Sequence, residues 1–314
     1  MATLALSAAI SKTGICMHLP KSFTRAVPFI FVGLWSTGFI GARWGLPYIE
    51  PFNFLFIRML LTLVAFLGLI LWFKAQWPTL KQCGQQMVTG SLIHAGYLGG
   101  VFAAIKLELP AGVTAIIVGL QPLLTAFLSK YWLGQSLSRG GWLGLWLGLI
   151  GVVMVLGSGA FEHQFELHPG ALAAALVALV SITVGTLYQK RYGTGVNLLT
   201  ASFMQYVATA LWMGFLTFGF ETGEISWDPH LIGALAWLVF GLSVSAILLL
   251  LLMIREGESA KVASYFYLVP LATTLEAWLL FNEQLSLLAL IGIAVTIMGV
   301  YQTQRSINAN LKVG

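Results

Sequence analysis

Of 314 residues, 58% are apolar and only 9% are Asp, Glu, Lys or Arg. A soluble domain carries about a quarter charged residues, so a water-exposed globular surface is excluded and lipid must be the solvent for most of the chain. The net charge of +5 is ascribed to loop charges that orient a membrane protein, not to a nucleic-acid partner. The 34 glycines and 11 tryptophans agree, because small residues let helices approach in lipid and Trp sits at its interface. The two cysteines, Cys16 and Cys83, lie far apart without metal-ligand spacing. Neither a disulfide framework nor a metal or other cofactor is read.

Residues 1–25 are expected to form a cytoplasmic N-terminal extension. Its apolar run Leu4–Ile10 precedes Lys12, the reverse of the order in a signal peptide; Met17 is a second candidate start. A membrane-spanning helix takes about 20 apolar residues. Ten stretches qualify: Ala26–Gly45, Pro51–Phe73, Gly84–Ile105, Pro110–Lys130, Gly140–Ser158, Ala171–Gln189, Leu198–Phe220, Leu231–Ile254, Val262–Phe281 and Leu285–Tyr301. The expected fold is an all-α polytopic membrane protein of ten transmembrane helices.

With the N-terminus in the cytoplasm and strict alternation, cytoplasmic segments hold 13 of the 16 basic residues. The other three, Arg43, Arg58 and Lys106, lie in or at the outer ends of spans. The opposite side receives Glu50, Glu108, Glu162, Glu166, Glu221, Glu224, Asp228 and Glu283. This separation satisfies the positive-inside rule, supports ten spans and puts both termini in the cytoplasm.

Sliding the chain against itself by 148 residues aligns Ala115–Val152 with Ala263–Val300, with ten of 38 positions identical. The pairs include Pro122/Pro270, Thr125/Thr273, Ser138/Ser286, Gly144/Gly292 and Gly151/Gly299. The expected organisation is a first five-helix repeat at 26–158, an extracytoplasmic linker at 159–170, a second repeat at 171–304 and a cytoplasmic tail at 305–314. Five spans per copy invert the second copy. Inverted repeats build secondary transporters with a site near the midplane; a duplication kept only for packing is the alternative.

Several motifs resemble the EamA family of the drug/metabolite transporter superfamily: Trp35-Ser-Thr-Gly, Phe56-Ile-Arg58, His94-Ala-Gly-Tyr97, Gly119-Leu-Gln-Pro-Leu-Leu-Thr125, Ser264-Tyr-Phe-Tyr-Leu-Val-Pro270 and Ala277-Trp-Leu-Leu-Phe-Asn-Glu283. The likeness covers roughly residues 26–304. It implies a ten-span carrier of two tandem domains, chiefly an exporter of amino acids, metabolites or drugs. Gln135, where the family has an acid, Asn282 in place of Gly, and Lys106 with Glu108 in a usually small-residue loop depart from the pattern.

Glu276 is the one acid well inside a stretch, and intramembrane ionisable groups are functional candidates; it suits proton coupling or cation binding, or else reaches the interface or pairs with Arg58. Arg58 could clamp a substrate carboxylate, or snorkel outward or cap carbonyls. His94 and Tyr97, three apart, share a helix face and suit proton relay or an interhelical hydrogen bond. Gln121 and Gln205 need polar partners in lipid. Pro122 and Pro270 interrupt helices at matching places, for gating or as kinks. Trp35, Tyr188, Tyr265 and Tyr267 could line an amphipathic cavity or sit at the bilayer boundary. Glycine ladders at Gly140, Gly144 and Gly148, and at Gly96 and Gly100, are packing surfaces.

The expected function is alternating-access export of a small metabolite, amino acid or drug-like compound, in a bacterial inner membrane, driven by proton coupling or by the substrate's own gradient. The partners are that substrate, membrane lipid and, as one expected assembly, a second copy in a homodimer. The rivals are a membrane-embedded enzyme, for which no H-E-x-x-H, P-loop or carboxylate cluster is present, and a non-transporting structural protein.

Overall fold

The computed structural model describes residues 21–107, 109, 111–160, 168–256, 259–281 and 286–310. Most of the expected N-terminal extension, the linker core at 161–167, and Glu108, Asn282 and Glu283 lie outside the described residues. The helices in chain order are α1 (Lys21–Gly45), α2 (Pro51–Phe73), α3 (Leu80–Lys106), α4 (Ala111–Val118), α5 (Gln121–Trp132), α6 (Arg139–Ala160), α7 (Pro169–Tyr192), α8 (Leu198–Phe220), α9 (Pro229–Arg255), α10 (Ser259–Tyr265), α11 (Leu268–Phe281) and α12 (Leu287–Asn310). Among the described residues, eight helical segments are long and apolar enough to cross a membrane, and Ala26–Gly38 is a shorter apolar helix. No strand is present among them beyond a single antiparallel bridge, Ile49 with Ile225.

Proline explains two of the breaks. Pro122 and Pro270 lack an N–H, and their rings clash with the carbonyl four residues back. Just before each, the chain tightens to three-residue bonds: Leu120 N–H to the Ile117 carbonyl at 3.1 Å, and Tyr267 N–H to the Ser264 carbonyl at 3.2 Å. Thus α4 gives way to α5 at Gly119–Leu120, and α10 to α11 at Phe266–Tyr267. Two further irregularities lie inside unbroken helices. Residues Ser91–Gly96 of α3 and Leu238–Ala246 of α9 are π-helical.

The chain divides into two compact units, one of Met1–Ala95 with Tyr188–Glu256, the other of Gly96–Leu187 with Gly257–Gly314. In the first, α2 and α8 pack antiparallel: the Phe56 ring meets that of Phe218 at 5.6 Å and Phe66 that of Tyr206 at 5.7 Å. Gly90 of α3 sits against the Gln205 backbone of α8, 2.5 Å from Gln205 Cα for an added Cβ, so no side chain fits there. Lipid tails are as apolar as Leu, so such close approach, rather than burial from water, holds the helices together.

Two glutamates close the ends of α2 and α8. The Glu221 carboxylate accepts the N–H groups of Phe52 (2.8 Å) and Asn53 (2.7 Å), donors that the first turn of α2 leaves without helical partners. Glu50 in return accepts the Thr222 N–H at 2.7 Å and the Gly223 N–H at 3.1 Å. Gly223 has φ +76, which suits the turn. Asp228 caps α9; the His230 N–H and ring it accepts hold its carboxyl below the usual range.

In the second unit, α6 and α12 cross backbone to backbone. A Cβ on Gly144 would meet the Gly299 carbonyl at 2.6 Å, and one on Gly151 the Gly292 carbonyl at 2.6 Å. As one number rises the other falls, so the two helices run antiparallel. Leu145, Leu149, Val152, Val155, Val300 and Ile307 bury the seam, with Tyr267 packed over Gly148. Nearer the α7 start, Gly100 of α3 abuts Ala174 and Ala178.

Candidate functional site: a polar cluster of the first unit

The first unit brings four helices to one polar cluster. Arg58 lies seven residues into α2, roughly 10 Å along the helix. Its Nε donates to the Ser243 hydroxyl at 3.0 Å. Ser243 belongs to the π-helical segment of α9, where the Ile247 N–H turns to the Leu242 and Val244 carbonyls and passes over that of Ser243. The Ser243 carbonyl accepts the Tyr206 hydroxyl instead, at 3.0 Å. Tyr206 stacks on His94 at 4.8 Å and 11°. His94 sits on the π-helical segment of α3. Ser243 thus joins the Arg58 guanidinium to the Tyr206 hydroxyl. π-Bulges re-aim side chains and occur often at functional sites; here both supply a wall of the same cluster.

Beside it runs an amide chain. Gln205 Nε2 donates to Gln86 Oε1 at 2.7 Å and reaches Gln189 Oε1 at 3.4 Å. Thr209 bonds the Gln205 and Gly90 carbonyls at 2.8 and 3.3 Å. All four side chains are buried. Yet Gln86 Nε2 has no hydrogen-bond partner, which is costly away from water.

The second unit has a smaller set. Gln121 and Thr125, one turn apart on α5, are buried, and Gln121 Nε2, Thr125 Oγ1 and the Tyr267 hydroxyl have no partner. Ser264 accepts from Gln304 Nε2 at 2.7 Å. Tyr265 is half-buried against the α5–α6–α12 core, and Glu276 is half-buried on α11.

The residue motifs and the helical architecture now coincide with a known pattern over both halves of the sequence: the EamA-like transporter family matches residues 26–157 and 169–303. The chain belongs to that family. It is similar to the uncharacterized transporter YvbV of Bacillus subtilis, 27% identical over 292 residues, covering 90% of this chain and 92% of that one. It is also similar to the uncharacterized inner membrane transporter YedA of Escherichia coli K12, 24% identical over 269 residues, with 85% and 86% covered. One solved crystal structure, 20% identical, superposes with a TM-score of 0.77 over 92% of this chain and 99% of that one, a likeness of fold.

Within this EamA-type chain, the sequence candidates divide between the units. Arg58, His94 and Gln205 meet in the first cluster. Trp35 packs on Phe31 at 5.1 Å and Tyr188 on Tyr192 at 4.6 Å, both in the first unit. Tyr97, Gln121, Tyr265, Glu276, Pro122 and Pro270 belong to the second. His94 lies in the π-helical segment at residues 91–96, and its ring partner is Tyr206. Sequence reasoning missed Gln86, Gln189, Tyr206 and Ser243. For Gln86 the signal was available: Gln86, Gly90 and His94 recur every fourth residue, one stripe of a helix.

Proposed function

We propose that this chain is a secondary carrier that exports a small metabolite, amino acid or drug-like compound across a bacterial inner membrane by alternating access. Ten spans form two five-helix copies of opposite sense, with both termini cytoplasmic. The observation that carries the reading is the α6–α12 crossing. Gly144 faces Gly299, and Gly151 faces Gly292. A shift of 148 residues turns Gly144 into Gly292 and Gly151 into Gly299, so it exchanges the two contacts. Mates that swap across an antiparallel crossing are related by a two-fold axis in the plane of the membrane, the arrangement that inverted repeats create.

Two other features support it. The same shift carries Ser91–Gly96 into the π-helical segment of α9, and carries Gly119, at the α4–α5 break, to Tyr267, at the α10–α11 break. The names of YvbV and YedA, both transporters, agree. The polar cluster of Arg58, His94, Gln86 and Gln205 is assigned to the substrate path, and Glu276 to proton coupling.

The test is transport by purified protein in vesicles, guided by a growth screen against toxic metabolites with and without the protein. A labelled compound should cross the membrane chemically unchanged, at a rate that varies with pH, and Glu276→Gln should flatten that dependence. Turnover of the compound without accumulation would indicate an enzyme and end the carrier reading. Full pH-dependent transport by Glu276→Gln would end the coupling role alone.

A further inference from the structure

We propose that Arg58 is the binding site for an oxyanion of the transported molecule, a carboxylate above all. The inference rests on the carrier reading and names the chemistry of its substrate.

A guanidinium has five N–H donors and stays charged at any pH a cell meets. At this depth in α2 it stands inside the hydrocarbon region, where a charge is retained only against a partner or a water-filled cavity. An outward-snorkelling arginine would leave its Nε free to follow the side chain toward the interface. Here the Nε is tied sideways to Ser243 of α9 at 3.0 Å, so the fork is held within the first unit. Among the described residues, no carboxylate lies within ion-pair distance of Arg58 and no side chain or carbonyl takes its four terminal N–H groups. The charge is fixed in place and uncompensated by the described chain, while its one protein hydrogen bond uses the donor that a bidentate carboxylate does not need. The two terminal nitrogens form the planar fork that matches two carboxylate oxygens.

The surrounding groups suit the same occupant. The His94 ring stacks on Tyr206, whose hydroxyl bonds the Ser243 carbonyl beside Arg58. These two rings can read polar atoms next to the anion, such as an amine or hydroxyl. The π-helical segments that present His94 and Ser243 hold this set in place. An anionic lipid headgroup offers the same oxyanion chemistry, so the experiment must separate it from a soluble substrate.

Purified protein is placed in vesicles of phosphatidylcholine alone, which has no net charge, and in vesicles containing phosphatidylglycerol. The probes are labelled amino acids and small monocarboxylates, each matched with its own carboxamide, together with simple amines. In the wild type, the carboxylate of a carried pair should be transported about tenfold or more faster than its amide, the equivalent of one charge-assisted hydrogen bond. This holds in both lipids. Arg58→Gln should erase the discrimination and Arg58→Lys retain part of it, since a point charge replaces a fork. The wild-type comparison needs no variant, so a folding failure of either substitution leaves the test intact. Equal transport of acid and amide by the wild type overturns the anion site while the carrier reading stands. Discrimination that vanishes in phosphatidylglycerol vesicles overturns it in favour of a headgroup at Arg58. If no probe of any class moves through folded protein, both fall.

Discussion

Gly299→Ala and Gly151→Ala should each destabilise the protein severely, although each adds one methyl group to an apolar helix. At 299 the new Cβ would lie 2.6 Å from the Gly144 carbonyl and closer still to the Gly148 amide nitrogen. At 151 it would lie 2.5 Å from the Thr296 amide nitrogen and 2.6 Å from the Gly292 carbonyl. Overpacking a core typically costs about 1–3 kcal/mol. These contacts are with backbone, which cannot rotate aside, so the upper end or more is expected. Relief requires moving α6 from α12, and the seam of Leu145, Leu149 and Val152 would open with it. Van der Waals contact is the main attraction between helices in lipid, so little remains to compensate. Thermal unfolding in detergent should fall clearly for both variants, with loss of monodisperse protein. Gly68→Ala is the control: nothing stands within 4 Å of its Cβ. An unfolding temperature for Gly299→Ala equal to that of Gly68→Ala would contradict the crossing.

Gln205→Leu should separate function from stability. The substitution removes the 2.7 Å bond to Gln86 and leaves that amide buried with no partner at either end. In membrane helices such bonds average about 0.6 kcal/mol and reach about 1.7 kcal/mol, so the stability loss is modest. Transport should drop about tenfold or more, because the amide that holds Gln86 in place is gone. Gln86→Leu should do the same, and the double variant should lose little beyond either alone, since both sever one link. Transport by Gln205→Leu at the wild-type rate would remove the amide chain from the substrate path.

The apolar stretches were legible because hydrocarbon forces each segment to satisfy its own backbone. Pro51–Phe73 and Leu198–Phe220 run between the residues expected. The prolines at 122 and 270 marked the breaks, since a missing N–H acts locally. The π-helical segments were not legible. Nothing in Ser91-Leu-Ile-His-Ala-Gly96 forbids a regular helix; the extra residue is accommodated by tertiary partners, among them the Gly90–Gln205 contact and the Trp212–Ser91 bond at 3.1 Å. Those segments redirect His94 and Ser243, which is why Arg58 could be picked out by its charge while its partner on α9 could not. Ser243 is a small polar residue in an apolar run, with no pattern to separate it from Ser245. Gln205 stood out as an amide amid apolar neighbours, but its link to Gln86, 119 positions away in sequence, is a product of the fold.

The orientation of the two copies can be read directly with side-specific reporters at three points: one on each end of the chain, and one inserted between Glu162 and His163. Two copies of opposite sense, five spans each, require both ends in the cytoplasm and the inserted reporter on the far side. An inserted reporter on the cytoplasmic side, or ends on opposite faces, would contradict the account.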